Sequence, residues 1–162
     1  APCAGKPLGL WAVEAAERAG FERRLIVVPE PAPRFAQTLE GWTAIPNRDA
    51  AEGIAASIRH AVAAAGGARR LVIALADMPL VAPDHLHALA TGNGSLFTTY
   101  PTGRARVPAA FDASAWPALS AVTGDRGAAS AFPGAPAITV DPATLIDVDS
   151  AADLAEAERR LR

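Results

Sequence analysis

Helical and extended segments alternate along the whole sequence, and this alternation is the feature that most restricts the fold. Segment 71–76 is apolar at every position, which is typical of a central parallel strand with helices on both faces. A second apolar run, 25–28, ends at Pro29. The predicted fold class is therefore α/β, with a mostly parallel sheet between two layers of helices.

The same patterns predict the individual elements. We expect strands at 25–28, 43–45, 71–76, 96–100, 107–111, 137–140 and 145–148, and helices at 8–19, 35–39, 53–65, 83–90 and 150–161. The strands 96–100 and 107–111 are expected to form a hairpin with an irregular turn. Ser150 and Asp153 have the spacing of a capping box. No repeat or linker interrupts the pattern, so residues 1–162 are interpreted as a single domain.

Composition excludes several classes of protein. The net charge is −2 and the 15 basic residues are scattered, so a nucleic-acid partner is not expected. No run of 18 apolar residues is present, so no membrane span is expected. The single cysteine, Cys3, cannot form an internal disulfide, which favours a reducing, cytoplasmic location.

Asp77 comes directly after the predicted strand 71–76, at the edge where open α/β sheets bind their ligands. Its carboxylate is a hard oxygen ligand, suited to Mg²⁺ that is bound together with substrate phosphates. The alternative is that Asp77 is a turn residue or a helix cap.

A second pair of carboxylates, Asp147 and Asp149, brackets Val148 at the end of the predicted strand 145–148. The two-residue period of a strand would place both on one face. The alternative is a solvated acidic turn before the Ser150 cap. One carboxylate at each of two strand ends is an arrangement that can hold a metal bridging phosphates.

Two polar loops are candidates for binding a ligand. Segment 47–57 leads from a polar loop into a helix whose first turn contains small residues, and a helix N-terminus offers free N–H groups to anions. Segment 124–127 is a loop bracketed by glycines. Ordinary turns would look the same in both places.

In sequence order these segments resemble the MobA-like nucleotidyltransferases, and among them the molybdenum cofactor cytidylyltransferases. Residues 5–8 resemble the family's Gly-Lys-Pro-Leu, and residues 76–81 resemble Ala-Asp-Gln-Pro-Leu-Val. Residues 124–127 match Gly-Asp-Arg-Gly, and residues 147–150 resemble Asp-Ile-Asp-Thr. Segment 47–57 has the spacing of Asn-Pro-Asp-Trp-Ala-Glu-Gly-Met-Gly-Ser-Ser, with matches at Asn47, Glu52, Gly53 and Ser57.

The resemblance implies a Rossmann-like sheet of the GT-A type and a nucleotidyltransferase reaction. A pterin phosphate, the molybdopterin-type acceptor, would attack the α-phosphate of CTP and release pyrophosphate. Mg²⁺ would be held by the catalytic residues Asp77 and Asp149, with Asp147 as a supporting carboxylate. The segment 47–57 would contact the nucleotide through Asn47, Gly53 and Ser57, and the loop residues Asp125 and Arg126 would contact substrate.

The sequence departs from the family at two places. The family's first strand and its Gly-rich phosphate loop should precede Gly5, so we expect about 20 further residues upstream. Where the family often has Gly-His-Pro, this chain has Arg106, Val107 and Pro108. The alternatives are therefore a guanylyltransferase or other NTP transferase with a different phosphorylated acceptor, so that the nucleotide is CTP or GTP, and a non-catalytic nucleotide-binding relative.

Overall fold

The computed structural model describes residues 2–162. The α-helices are α1 (Leu8–Arg18), α2 (Arg34–Gln37), α3 (Ile54–Ala65), α4 (Pro83–Thr91), α5 (Trp116–Ser120) and α6 (Ala151–Arg160). The strands are β1 (Pro2–Cys3), β2 (Lys6–Pro7), β3 (Leu25–Pro29), β4 (Thr43–Asn47), β5 (Arg70–Ile73), β6 (Leu96–Thr99), β7 (Ala105–Asp112) and β8 (Ala137–Thr139). Helices and strands alternate, and the α/β class predicted from the sequence is confirmed.

The larger strands form two sheets. β3 and β4 pair in parallel, and a four-stranded sheet has the order β5-β7-β6-β8. Within this sheet β7 is antiparallel to both of its neighbours, whereas β6 and β8 are parallel. Strands β5, β6 and β8 therefore share one direction, and β7 alone runs against them. β1 and β2 form a separate small antiparallel pair.

Two helices contact both sheets, one on each face. In α1, Val13 packs against Ile26 and Val28 of β3, and Ala15 belongs to the cluster that contacts Val72 of β5. On the opposite face α3 contacts β3 and β4 and packs its apolar side against β5. Neighbouring residues of β5 point to opposite faces of the sheet, so one face of β5 is turned toward α1 and the other toward α3. The two sheets therefore form one layer between α1 and α3.

A gap separates the two sheets inside this layer. β3 pairs only with β4, and β5 pairs only with β7, among residues 2–162. All four residues of β5 are only half-buried although helices lie on both of its faces. Each of these strands therefore presents an edge whose backbone groups have no strand partner.

Most predicted elements are confirmed, and two strands differ. β5 ends at Ile73 rather than at residue 76, because Ile73 pairs with Ala109 and the next residue of β7, Pro108, has no N–H to donate. Segment 145–148 is not a strand; it is an irregular segment that makes one backbone bond to Asp77. The predicted hairpin is confirmed as β6 and β7, and a register shift lies between Leu96 and Thr98.

The end of the chain forms as the capping box predicts. Ser150 accepts a hydrogen bond from the backbone N–H of Asp153, and the Asp153 carboxylate accepts one from the backbone N–H of Ser150. In the described part of the chain, no helix has the length and apolar character needed to cross a membrane.

Candidate functional site

Three aspartates meet at the end of β5. The backbone N–H of Val148 donates to the carbonyl of Asp77 at 3.0 Å, which brings the loop containing Asp147 and Asp149 against the turn that follows β5. One carboxylate oxygen of Asp77 and one of Asp147 are buried without a hydrogen-bond partner among the described residues. We call these three residues the carboxylate cluster.

The surroundings of the carboxylate cluster disfavour the ionised form of its carboxyl groups. Burial raises the pKa of Asp77 above its usual range, bonding to its own backbone N–H opposes this, and the charge of Asp149 raises the pKa further. Burial also raises the pKa of Asp147, and the charges of Asp77 and Asp149 add to the effect. Such upward shifts arise where carboxylates are desolvated and repel one another. A bound cation would relieve both effects.

The cluster is open rather than a closed metal cage. Within residues 2–162, no group of three or more His, Cys, Asp or Glu side chains is arranged to enclose a metal ion. Mg²⁺ is commonly held by one or two carboxylates together with substrate phosphates and water. The two unpartnered oxygens fit this kind of site, in which the substrate supplies the remaining ligands.

The segment 47–57 has a different character, because its side chains bind one another. Asn47, the last residue of β4, is only 2% exposed, and its amide donates to the Ser57 hydroxyl at 3.0 Å. Its amide oxygen accepts from the backbone N–H of Asp49 at 3.0 Å. Asn47 and Ser57 thus join the end of β4 to α3 and fix the loop between them.

Gly53 brings the second polar loop to the same place. Its φ of +92° and ψ of −173° lie in a region that is essentially restricted to glycine. A Cβ at this position would collide with the Asp125 carboxylate and lie 2.8 Å from the carbonyl of Gly124. The N–H of Ala55 donates to that same carbonyl at 3.1 Å. The loop 124–127 is therefore docked on the start of α3.

The predicted site residues accordingly fall into two groups. Asp77 and Asp149 lie together, and Asn47, Gly53, Ser57 and Asp125 lie together. Arg126 is exposed, and its guanidinium donates to the Thr123 hydroxyl within its own loop at 3.2 Å. Helix α3 connects β4 to β5, contacts β3 and β4 and packs on Leu71 and Ile73 of β5. In a crossover of this kind the ends of the two strands lie along one edge. The two groups therefore border the same edge of the sheet layer.

The hairpin of β6 and β7, which the sequence predicts, brings Tyr100 against the turn that follows β5. The Tyr100 hydroxyl donates to the carbonyl of Val107 at 2.9 Å and lies 3.6 Å from the sulfur of Met78. The guanidinium of Arg106 lies 5.7 Å from the centre of the Tyr100 ring. Burial and the nearby Asp147 raise the pKa of Tyr100 far above its ordinary value, so the phenol stays protonated as a donor.

Buried hydrogen bonds between side chains and backbone stabilise this hairpin. Thr98 is fully buried, and its hydroxyl donates to the Pro108 carbonyl at 2.6 Å. His85 Nε2 lies 2.7 Å from the same hydroxyl, and because the hydroxyl proton is used, Nε2 is the donor. Burial lowers the pKa of His85, consistent with a neutral ring.

The comparison with protein families settles the class of protein. The model of the MobA-like NTP transferase domain matches residues 1–137. The chain belongs to the MobA-like NTP transferase domain family. The resemblance in the sequence predicted this family, and the prediction is confirmed.

Individual relatives agree with this family. Over 99 residues the chain is 31% identical to the bifunctional protein GlmU of Geobacter metallireducens, covering 58% of the chain and 20% of GlmU. The chain thus spans about a fifth of the length of that curated relative. Rv0371c of Mycobacterium tuberculosis superposes with a TM-score of 0.80 at 24% identity, over 98% of this chain and 87% of its own.

Two further structures share the fold. A manganese complex of Rv0371c gives a TM-score of 0.82 at 23% identity, over 98% of this chain and 89% of that one. 4-diphosphocytidyl-2C-methyl-D-erythritol synthase gives 0.76 at 15% identity, over 100% and 94%. Likeness at these identities concerns the fold. The Rossmann-like architecture of this chain is shared with nucleotidyltransferases.

Proposed function

We propose that this protein is a cytoplasmic, Mg²⁺-dependent cytidylyltransferase that transfers CMP from CTP to a phosphorylated molybdopterin-type acceptor. The observation that carries the proposal is the carboxylate cluster, whose two buried, unpartnered oxygens lie at the same sheet edge as the segment 47–57. A cation held there would lie between the nucleotide and a second substrate. The choice of CTP and of the pterin rests on the resemblance in sequence.

The proposed reaction is a single displacement at phosphorus. An oxygen of the acceptor phosphate forms a bond to the α-phosphorus of CTP, the bond from that phosphorus to the bridging oxygen breaks, and pyrophosphate leaves. Mg²⁺ on Asp77 and Asp149 would neutralise the charge that spreads over the phosphates. Asp147, which also has a buried oxygen without a hydrogen-bond partner, would be a supporting carboxylate beside the ion. Positioning and charge neutralisation account for most of the catalysis in such reactions.

In this proposal the segment 47–57 holds the nucleotide mainly by its shape and its backbone. The side chains of Asn47 and Ser57 are engaged with each other, so they fix the path of the loop. Gly53 has no Cβ, which lets the loop containing Asp125 and Arg126 pack against this segment. A cytosine or guanine would bind along this preformed segment.

The cation itself is supported by the carboxylate chemistry and by the fold comparison. Aspartate oxygens favour Mg²⁺ and Mn²⁺ over softer metals, and Rv0371c, which has the same fold, has been solved with manganese. We propose Mg²⁺ as the physiological ion because it is the usual partner of nucleoside triphosphates.

We also propose that the gap between β3 and β5 is filled by one more extended strand, whose following loop binds the triphosphate. The two unpaired edges face the same gap under α1 and α3, and a strand there would complete the hydrogen bonding of both.

The decisive experiment measures pyrophosphate release by the full-length protein with molybdopterin as acceptor. We expect release that requires Mg²⁺ and is faster with CTP than with GTP. Faster release with GTP would replace the cytidylyltransferase by a guanylyltransferase. Binding of either nucleotide without release, with every acceptor offered, would favour a non-catalytic nucleotide-binding protein.

A further inference from the structure

Arg106 is a cation with no protein partner beside a cluster of carboxylates. It is exposed, and within residues 2–162 its guanidinium forms no ion pair within 4 Å. It lies 5.7 Å from the centre of the Tyr100 ring. Its charge is nevertheless near enough to Asp147 to oppose the rise in the pKa of that carboxyl. A charge that is close to acids but not paired with them is available to a ligand.

The position of Arg106 follows from the direction of β7. Because β7 is antiparallel to β6, its first residues lie where β6 ends, with Arg106 opposite Thr98 and Ala105 opposite Thr99. β5 shares the direction of β6, so the start of β7 lies at the carboxyl end of β5, beside Asp77. The Tyr100 hydroxyl, within 3.6 Å of the Met78 sulfur, joins the hairpin to this turn.

The sheet order then places Arg106 and the segment 47–57 on opposite sides of the carboxylate cluster. Segment 47–57 begins at the end of β4, in the two-stranded sheet, and β5 has β7 on its paired side. Because α3 contacts β3 and β4 and packs on Leu71 and Ile73 of β5, we infer that the two-stranded sheet lies on the unpaired side of β5. If the nucleotide binds along segment 47–57, its α-phosphate reaches the cluster from that side. The attacking group must then come from the side of the hairpin.

We propose that Arg106, supported by the face of Tyr100, binds the phosphomonoester of the acceptor and so selects acceptors that carry a terminal phosphate. This inference rests on the proposed function, since it assigns the nucleotide to segment 47–57. A guanidinium forms a fork of two hydrogen bonds to phosphate oxygens. The aromatic ring holds the guanidinium plane without consuming its donors. Arg106 is a binding and positioning residue, and the carboxylates remain the catalytic ones.

Arg106 also offsets the charge of the site. An incoming phosphate carries about two negative charges at neutral pH, and it must approach three aspartates. A cation at the entrance lowers this repulsion before the metal is reached.

The test uses a pair of probes that differ only in the phosphate. A hydroxymethylpterin and its phosphomonoester are titrated into the full-length protein with Mg²⁺ and a non-hydrolysable CTP analogue, and affinity is measured by calorimetry. Wild type should bind the phosphorylated probe more tightly. Arg106→Ala should weaken that binding by about tenfold to a hundredfold and leave the hydroxyl probe unchanged. Arg106→Lys should fall between.

Arg104→Ala is the matched control. Arg104 is exposed in the same hairpin, and its described bond is the backbone one from the Tyr100 N–H to its carbonyl. It should behave as wild type. Equal binding of the two probes by wild type, or equal loss in the Arg104 and Arg106 variants, would overturn the proposal.

Nucleotide binding is measured separately, so that the two proposals can fail independently. Mg²⁺ and CTP alone should bind to Arg106→Ala within twofold of wild type. If CTP fails to bind even to wild type, the proposed function falls. If CTP binds and turns over normally while Arg106→Ala leaves the KM for the acceptor unchanged, only the role of Arg106 falls.

Discussion

The two halves of the site differ in whether their buried polar groups have hydrogen-bond partners within the protein. Around segment 47–57, Asn47 is bonded to Ser57 and to the backbone of Asp49, and the carbonyl of Gly124 is bonded to Ala55. In the carboxylate cluster, oxygens of Asp77 and Asp147 are buried without partners. Native proteins leave few buried polar groups unpaired. The first half is complete without a ligand, and the second is complete only with one.

This difference separates two roles that a binding site must combine. Segment 47–57 and its docked loop supply a fixed shape. Substitutions there should mainly change the free energy of unfolding. The carboxylate cluster supplies negative charge whose burial costs free energy. Substitutions there should change the rate of the reaction. Three experiments test this division.

The largest effect should come from removing a carboxylate. Asp77→Asn and Asp149→Asn should each lower Mg²⁺-dependent pyrophosphate release by about a hundredfold to a thousandfold, as expected when one electrostatic group of a reacting centre is lost. The fold should be kept, as measured by circular dichroism. Asp84→Asn, an exposed aspartate in the first turn of α4, should keep its activity. Release within a factor of two of wild type in either cluster variant would remove that residue from the metal site.

A smaller effect, on stability, should come from segment 47–57. Gly53→Ala forces alanine into a backbone region reserved for glycine and toward the Gly124 carbonyl, so the free energy of unfolding should fall by about 1–3 kcal/mol. Nucleotide binding should weaken with it. Gly67→Ala is the control, because a Cβ at Gly67 would meet nothing within 4 Å and the φ of Gly67 is not in the left-handed region. Denaturant unfolding measures both, and equal stability of the two variants would contradict the role given to Gly53.

The smallest effect concerns pH in the absence of metal. The raised pKa of Asp77 means that the folded state binds a proton more readily than the unfolded state. As pH falls through the raised value, protonation stabilises the fold, and the stabilisation is complete below the unfolded pKa; above the raised value it is absent. In EDTA at pH 7, Asp77→Asn should therefore be at least as stable as wild type. The difference should shrink on acidification, as measured by urea unfolding at pH 7 and pH 5, and a variant less stable than wild type at pH 7 would contradict the prediction.

Local patterns predicted the elements well, because each depends on neighbours in sequence. The helix that follows Gly53 and the cap at Ser150 are of this kind. The extent of β5 was wrong by three residues, since it depends on Pro108, which is remote in sequence and cannot donate to the ladder. The prediction of a strand at 145–148 was wrong for a similar reason. This segment makes one backbone bond, to the remote Asp77, in place of strand pairing.

The candidate site was predicted in part. The position of Asp77 after a strand indicated the sheet edge, and its meeting with Asp147 is now explained by the bond from Val148. Tyr100 was missed, and Arg106 was noted only as a departure from the family, because their place depends on the register of β6 and β7, which shifts between Leu96 and Thr98. No single-sequence pattern predicts such a shift. The roles of Asn47, Gly53, Ser57, Asp125, Arg126 and the metal-binding aspartates stay predictions.

The gap between β3 and β5 also makes the sheet open to complementation. Two unpaired edges that face one another can accept a short extended peptide, because each residue of such a peptide offers its N–H and C=O to both sides. The same edges can pair with those of another molecule, so self-association and complementation compete.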